Sequence, residues 1–144
     1  MSVGLLDVNV LLALFDPHHI HHEPAQAWFA AESHRGWATC PITENGFVRI
    51  ASQPSYPSSP GDVTVVRRLL VELCRSEHHR FWPDAVSLRD EQLFEPASLV
   101  PSGHLRDVYL LGLAVHQRGR LITFDRRIPV AAVRGGRDAL HVLS

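Results

Sequence analysis

Short apolar runs and longer stretches with helical spacing alternate along the chain, and the alternation predicts its elements in order. Val3–Leu6 is an apolar run ending in Asp7 and reads as a buried strand, continued by a short apolar helix over Val10–Phe15. Pro17 and the histidines break that helix. Glu23–Ser33 reads as the next helix, with Pro24 in its first turn and Ala25, Trp28 and Phe29 on one face; Gly36 stops it. Trp37–Cys40 is a second strand, and Pro41 opens a helix carrying Glu44, Phe47, Val48 and Ile50–Ala51. Gln53–Gly61, rich in proline and serine, reads as an internal loop. Asp62–Ser76 is the clearest helix, with Val63, Val66, Leu69, Leu70 and Leu73 along one side. A third strand is expected at Arg80–Trp82 and a short helix at Leu88–Phe94. Asp107–Gln117 is a helix ended by Gly119, Leu121–Thr123 a strand leading to Asp125, and Leu140–Leu143 a last strand.

Strands alternating with helices predict βαβ units, a parallel sheet and an α/β fold. In such sheets ligands bind beyond the carboxyl ends of the strands, which is where Asp7 and Asp125 fall. With 144 residues, 45% of them hydrophobic, and no internal repeat, the chain fits a single domain spanning 1–144. No apolar run reaches the roughly 18 residues of a membrane span, and the opening segment lacks a basic region and is interrupted by acids, so it reads as a poor signal peptide. Cys40 and Cys74 sit in apolar surroundings without metal-binding spacing and read as reduced thiols of a cytoplasmic protein.

The net charge of -1 gives no electrostatic argument for nucleic acid, but its distribution does. From His104 to Ser144 there are seven arginines against three aspartates, whereas residues 1–103 carry seven arginines against twelve acids. The basic C-terminal third suits a phosphate backbone, with Arg118, Arg120, Arg126 and Arg127 bracketing the strand before Asp125. All 14 basic residues are arginine. The absence of lysine closes the P-loop, Schiff-base and aspartyl-phosphate chemistries, the last of these including receiver domains and their phosphatase counterparts.

Each acid on its own admits a structural role. Asp7 can cap a helix, Glu44 and Asp107 can complement a helix dipole, and Asp125 can hold a turn or an ion pair. Together they say more. Asp7 and Asp125 end apolar runs and Asp107 shares a face with core leucines, so three carboxylates are expected to be partly buried and to need a cation. Oxygen donors of this kind suit Mg²⁺ or Mn²⁺, and no His–Cys combination near them in sequence favours zinc.

Four stretches carry a resemblance: LLDVNVLLALFD with Asp7 and Asn9, TENGFVRIASQP with Glu44, HLRDVYLLGLAVHQRG with Asp107, and LITFDRRI with Asp125. In order and spacing the chain resembles PIN domains, specifically the VapC toxins of toxin–antitoxin systems. The resemblance implies a three-layer α/β/α sandwich around a mainly parallel sheet and a catalytic Mg²⁺ or Mn²⁺ site formed by Asp7, Glu44, Asp107 and Asp125. It further implies endonucleolytic hydrolysis of RNA, a cognate antitoxin, and a homodimer, for which the helix over Asp62–Ser76 offers an apolar surface. Asn9 and Thr123 are candidates to orient the carboxylates. The chain departs from the pattern at Arg106 and Val108, where the family often has Thr and Ala around the third acid; Arg106 thereby becomes a candidate for RNA contact. A PIN fold that binds RNA or antitoxin without cutting, and a PIN nuclease outside a toxin pair, are the alternatives. His18, His19, His21 and His22 read as a polar loop, with an RNA or adventitious metal contact as the alternative, His104 as a cap or, failing that, a substrate contact, and Trp28, Trp37 and Trp82 as packing.

Overall fold

A computed structural model describes residues 2–144. Five strands form one sheet: β1 (Gly4–Leu6), β2 (Trp37–Thr39), β3 (His79–Phe81), β4 (Arg120–Thr123) and β5 (Leu140–Val142), in the spatial order β3-β2-β1-β4-β5. Every strand pair is parallel, so the expected mainly parallel sheet is parallel throughout. The chain builds outward from β1 to one edge and then crosses to β4 and the other edge, which makes the β1–β4 boundary the switch point. The helices are α1 (Val8–Phe15), α2 (His22–Glu32), α3 (Pro41–Ala51), α4 (Val63–Leu73), α5 (Leu105–His116) and the single turn α6 (Gly136–Ala139).

Strand alternation sorts the core into two layers. Leu5, Ala38 and Leu121 point to the layer that holds α5 and α6, with Leu110, Leu111 and Val133. Leu6, Trp37 and Ile122 point the other way, among Val10, Leu11 and Phe47 of α1 and α3. Burial on both faces explains why the central strands carry apolar residues at successive positions, Leu5–Leu6, Trp37–Ala38 and Leu121–Ile122, instead of alternating. Trp37 and Trp82 are core residues, as expected, and Trp28 is half-buried with its ring over Gly4.

Three differences from the pattern have physical causes. The segment expected as a helix at Leu88–Phe94 is a chain of turns. Asp90 Oδ1 accepts the backbone N–H of Gln92, and Phe94 forms an antiparallel bridge with Val133. Local side-chain bonds and a bridge from outside the segment thus take the groups a helix would have used. Edge strand β3 begins at His79, one residue earlier than expected, and leaves Phe81 largely exposed. The stop after α5 is made by Arg118, which takes the left-handed conformation (φ 57°). Gly119 serves a different need, since a Cβ there would lie 2.5 Å from the Val3 carbonyl oxygen.

Candidate active site

Asp7 stands at the carboxyl end of β1 and caps α1, its Oδ1 accepting the Val8 N–H at 2.8 Å. The capping role and the site role therefore coexist in one side chain. Its second oxygen, Oδ2, accepts from the Thr123 hydroxyl at 2.8 Å, across the switch point from the end of β4. Thr123 Oγ1 in turn accepts the Asn9 amide (3.2 Å) and the Asp125 N–H (3.1 Å), so one fully buried hydroxyl ties β1, α1 and the turn after β4 together. Asn9 Oδ1 accepts the Phe124 N–H and completes the frame.

Asp107 enters from the first turn of α5, and both it and Asp7 are more than nine-tenths buried. Asp107, Asp125 and His104 each bring a ligand atom within 4.8 Å of the others. Burial raises the pKa of Asp7, only partly offset by its bonds from Thr123 and Val8. Burial also raises that of Asp107, and the neighbouring Asp7 charge raises it further. Arg106, with Nε 3.9 Å from Asp107 Oδ1, opposes both shifts but does not cancel them. The Asp125 charge raises both, so the two buried carboxylates are short of positive charge. The donors are oxygens, and α1 and α5 both direct their N-termini here. The residues fit a hard divalent cation.

A PIN-domain profile matches residues 4–134. Ribonuclease VapC44 of Mycobacterium tuberculosis is 47% identical over 132 residues, covering 92% of each chain. The chain is a member of the VapC group of PIN domains. Ribonuclease VapC38 of the same organism is 39% identical across 99% of both chains, and Ribonuclease VapC39 is 40% identical, covering 92% of this chain and 95% of that one. In fold, the chain resembles VapBC2 from Rickettsia felis, solved bound to a DNA fragment from their promoter, with a TM-score of 0.61 at 12% identity over 99% of each chain.

Not every residue singled out in this VapC sequence converges on the switch point. Asp7, Asp107 and Asp125 do, with Asn9 and Thr123 as their supports. Glu44, in the first turn of α3, turns elsewhere: its Oε2 accepts from Thr39 Oγ1 at 2.6 Å, and its carboxylate lies within 4.8 Å of donor atoms of Cys74 and His79. His104 is the residue underrated by sequence. No cap bond from its ring is present; Nε2 lies 3.9 Å from Asp125 Oδ2 instead. The signal was its place one helical turn before Asp107.

The arginines divide as well. Arg126 and Arg127 border an open cavity of about 480 Å³ shared with Asn9, His21, Phe124 and Asp125, and the Arg127 backbone N–H donates to Asp125 Oδ1 at 2.8 Å. Arg118 and Arg120 lie at the start of β4, the opposite end of the strand from Asp125. Among the histidines, His21 stacks on Phe124 with ring centroids 4.4 Å apart, and His22 Nδ1 bonds the Ala13 carbonyl at 2.7 Å. Asp16 is a buried acid with a structural role, accepting from the His18 N–H and the Tyr56 hydroxyl. Both cysteines are free, and no helix is long and apolar enough to cross a membrane among the described residues.

Proposed function

We propose that this protein is a divalent-metal-dependent endoribonuclease, the toxin of a toxin–antitoxin pair. The observation that carries the reading is the convergence of Asp7, Asp107 and Asp125 at the switch point in a chain of the VapC group. Asp7 and Asp107 are the principal ligands of Mg²⁺ or Mn²⁺, and Asp125 completes the set from the rim. When bound, the cation supplies a Lewis acid for the scissile phosphate and a water of lowered pKa.

The protein's own residues do the positioning. Thr123 fixes the Asp7 carboxylate and, through the Asp125 N–H, the turn that carries the third acid. Asn9 holds that turn from the helix side. Arg126 and Arg127 receive the RNA backbone beside the carboxylates, and Arg106 lies close enough to Asp107 to do the same from α5. Glu44, engaged with Thr39, is left out of the ligand set. A cognate antitoxin and a second copy of the chain are the protein partners. Leu69 and Val71 of α4 are partly exposed, and a cavity of about 470 Å³ opens between Phe15, Phe29, Phe47, Leu69 and Leu73, offering apolar surface for either. The cytoplasm is the proposed location.

The test is cleavage of cellular RNA by purified, antitoxin-free protein with Mg²⁺, Mn²⁺ or chelator, beside Asp7→Asn and Asp107→Asn. Cleavage that requires the cation and is lost in both variants is expected. Cation binding without cleavage of any RNA refutes the nuclease reading, and activity surviving both substitutions refutes the site.

A further inference from the structure

Glu44 keeps different company from the three aspartates. A carboxylate oxygen of Glu44, Cys74 Sγ and a ring nitrogen of His79 lie within 4.8 Å of one another. They come from three separate elements: the first turn of α3, the residue that ends α4, and the first residue of edge strand β3. All three are half-buried, so the atoms are gathered by the fold yet open to solvent. The set is invisible in the sequence, where Glu44 and Cys74 are 30 positions apart and no spacing joins them to His79.

Two contacts fix this geometry. Thr39 Oγ1 donates its only proton to Glu44 Oε2 at 2.6 Å and lies 2.8 Å from His79 Nε2. His79 must therefore donate from Nε2, which leaves Nδ1 with its lone pair free. Metal-binding histidines are commonly held in this way, anchored through one nitrogen and ligating through the other. The His79 ring also packs on Trp37 with centroids 4.7 Å apart. Burial lowers its pKa, so the imidazole is neutral near pH 7, the form a metal requires.

We propose that Glu44, Cys74 and His79 form a second cation site, separate from the aspartate cluster and selective for Zn²⁺ over Mg²⁺, with Thr39 as its positioning residue. The donor set decides the selectivity. One sulfur, one nitrogen and one oxygen suit a borderline-soft ion, whereas Mg²⁺ calls for oxygens alone. The distances fit too. In a tetrahedral zinc centre with bonds of about 2.0–2.3 Å, the ligand atoms stand about 3.5 Å apart. From separations of up to 4.8 Å, the donor atoms reach that spacing by closing about 1.3 Å at most. Burial and the Glu44 charge push the Cys74 thiol up to about 11, so the ion has to displace its proton to solvent before Cys74 binds as the thiolate. The Thr39 hydroxyl, which bonds Glu44, His79 and Cys74 alike, stands where a fourth oxygen donor is needed. Occupancy ties the end of α4 and the first turn of α3 to the edge strand, so it stabilises the fold whether or not the protein cuts RNA.

The experiment uses the full chain in a thiol-free reducing buffer with excess Mg²⁺, titrated with Zn²⁺ and, in parallel, with Co²⁺ as a spectroscopic stand-in. The expected result is one Zn²⁺ per chain, a rise in Tm, and a Co²⁺ spectrum with tetrahedral bands and a thiolate charge-transfer band. Cys74→Ala should lose the thiolate band. Cys74→Ala and His79→Gln should each weaken binding at least tenfold, and Asp107→Asn should leave it unchanged. The wild-type Co²⁺ spectrum needs no variant to fold. A spectrum without the thiolate band overturns the site. So does binding that survives Cys74→Ala, which assigns the ion to the His18–His22 segment, or binding that Asp107→Asn abolishes, which assigns it to the aspartates.

Discussion

Asp107 and Glu44 are alike in sequence terms: each lies in the first turn of a helix, with apolar residues following at helical spacing. Their side chains end in different surroundings. Asp107 is the third residue of α5 and faces the switch point, where Asp7 and Asp125 arrive from the two central strands. Glu44 is the fourth residue of α3, and one residue is about 100° of helix rotation. It points at Thr39 and His79 on the β2–β3 side of the sheet. The two clusters differ accordingly in chemistry: one gathers three carboxylates with the His104 ring at its rim, the other mixes sulfur, nitrogen and one carboxylate around a shared hydroxyl. Helix phase, more than residue type, decides which cluster each carboxylate joins.

The two clusters should separate most widely at the acids themselves. Asp107→Asn should lower Mg²⁺-dependent RNA cleavage by more than about a hundredfold, a greater loss than the 10–100-fold typical of an outer hydrogen-bond partner. Glu44→Gln should keep cleavage within about tenfold of wild type, as expected of a residue that does not ligate the catalytic ion. Equal losses in the two variants would show that Glu44 joins the aspartates during the reaction.

A smaller effect concerns how the aspartates are held. Thr123→Val keeps the shape of a fully buried residue but removes the hydroxyl that Asp7, Asn9 and the Asp125 N–H share. Cleavage should fall by about 10–100-fold, through weaker affinity for the cation, and Thr123→Ser should restore most of it. If the valine variant binds the cation and cuts like wild type, the hydroxyl frame does not position the site.

The arginines test the same division at the level of RNA. Arg126→Ala and Arg127→Ala remove cations beside the carboxylates. Each should weaken single-stranded RNA binding several-fold and reduce the salt slope by about 0.7 for each phosphate no longer neutralised. Arg118→Ala and Arg120→Ala, at the far end of β4, should do neither. An effect at the distant pair equal to that at the near pair would extend the RNA path over the opposite edge of the sheet.

Most of the fold could be read from periodicity, because the central strands are buried on both faces and each helix sheds its polar residues to one side. The readings that missed depended on partners distant in sequence. Leu88–Phe94 has an apolar pattern that suits a helix, but its backbone closes only local turns, with the Leu93 and Phe94 N–H groups on the Asp90 carbonyl, and the Leu93 carbonyl accepts from Arg134. Asp7 and Asp125 can be placed at one edge of the sheet from sequence because each follows a strand, and strand ends in a parallel sheet have a fixed relation to one another. Glu44 could not be separated from them, since the resemblance transfers a residue type and a position but no side-chain direction. Closeness in sequence groups Arg118 and Arg120 with Arg126 and Arg127, yet β4 separates the two pairs.

The smallest expected effect concerns stability, and its sign follows from the charge deficit at the switch point. Asp7 and Asp107 have pKa values raised above the ordinary 3.8 of the unfolded chain, first by burial. A group shifted upward contributes stability that is fully present below its unfolded value and is lost as pH rises through its folded value. In chelator, the wild-type protein should therefore lose stability on going from acid toward neutral pH. Asp7→Asn and Asp107→Asn, each lacking one of the ionisations responsible, should melt about 2–5 °C higher than wild type at pH 7. The advantage should disappear below pH 3.8, where the wild-type carboxylates are protonated in both states. Adding Mg²⁺ should reverse the order at neutral pH by stabilising the wild type alone. The second cluster predicts no such reversal for Glu44→Gln, because its carboxylate already has a hydrogen-bond donor in Thr39 and sits apart from the other acids. Melting curves of the three variants with and without Mg²⁺, across that pH range, would thus show by sign which carboxylates a hard cation neutralises, independently of any RNA substrate.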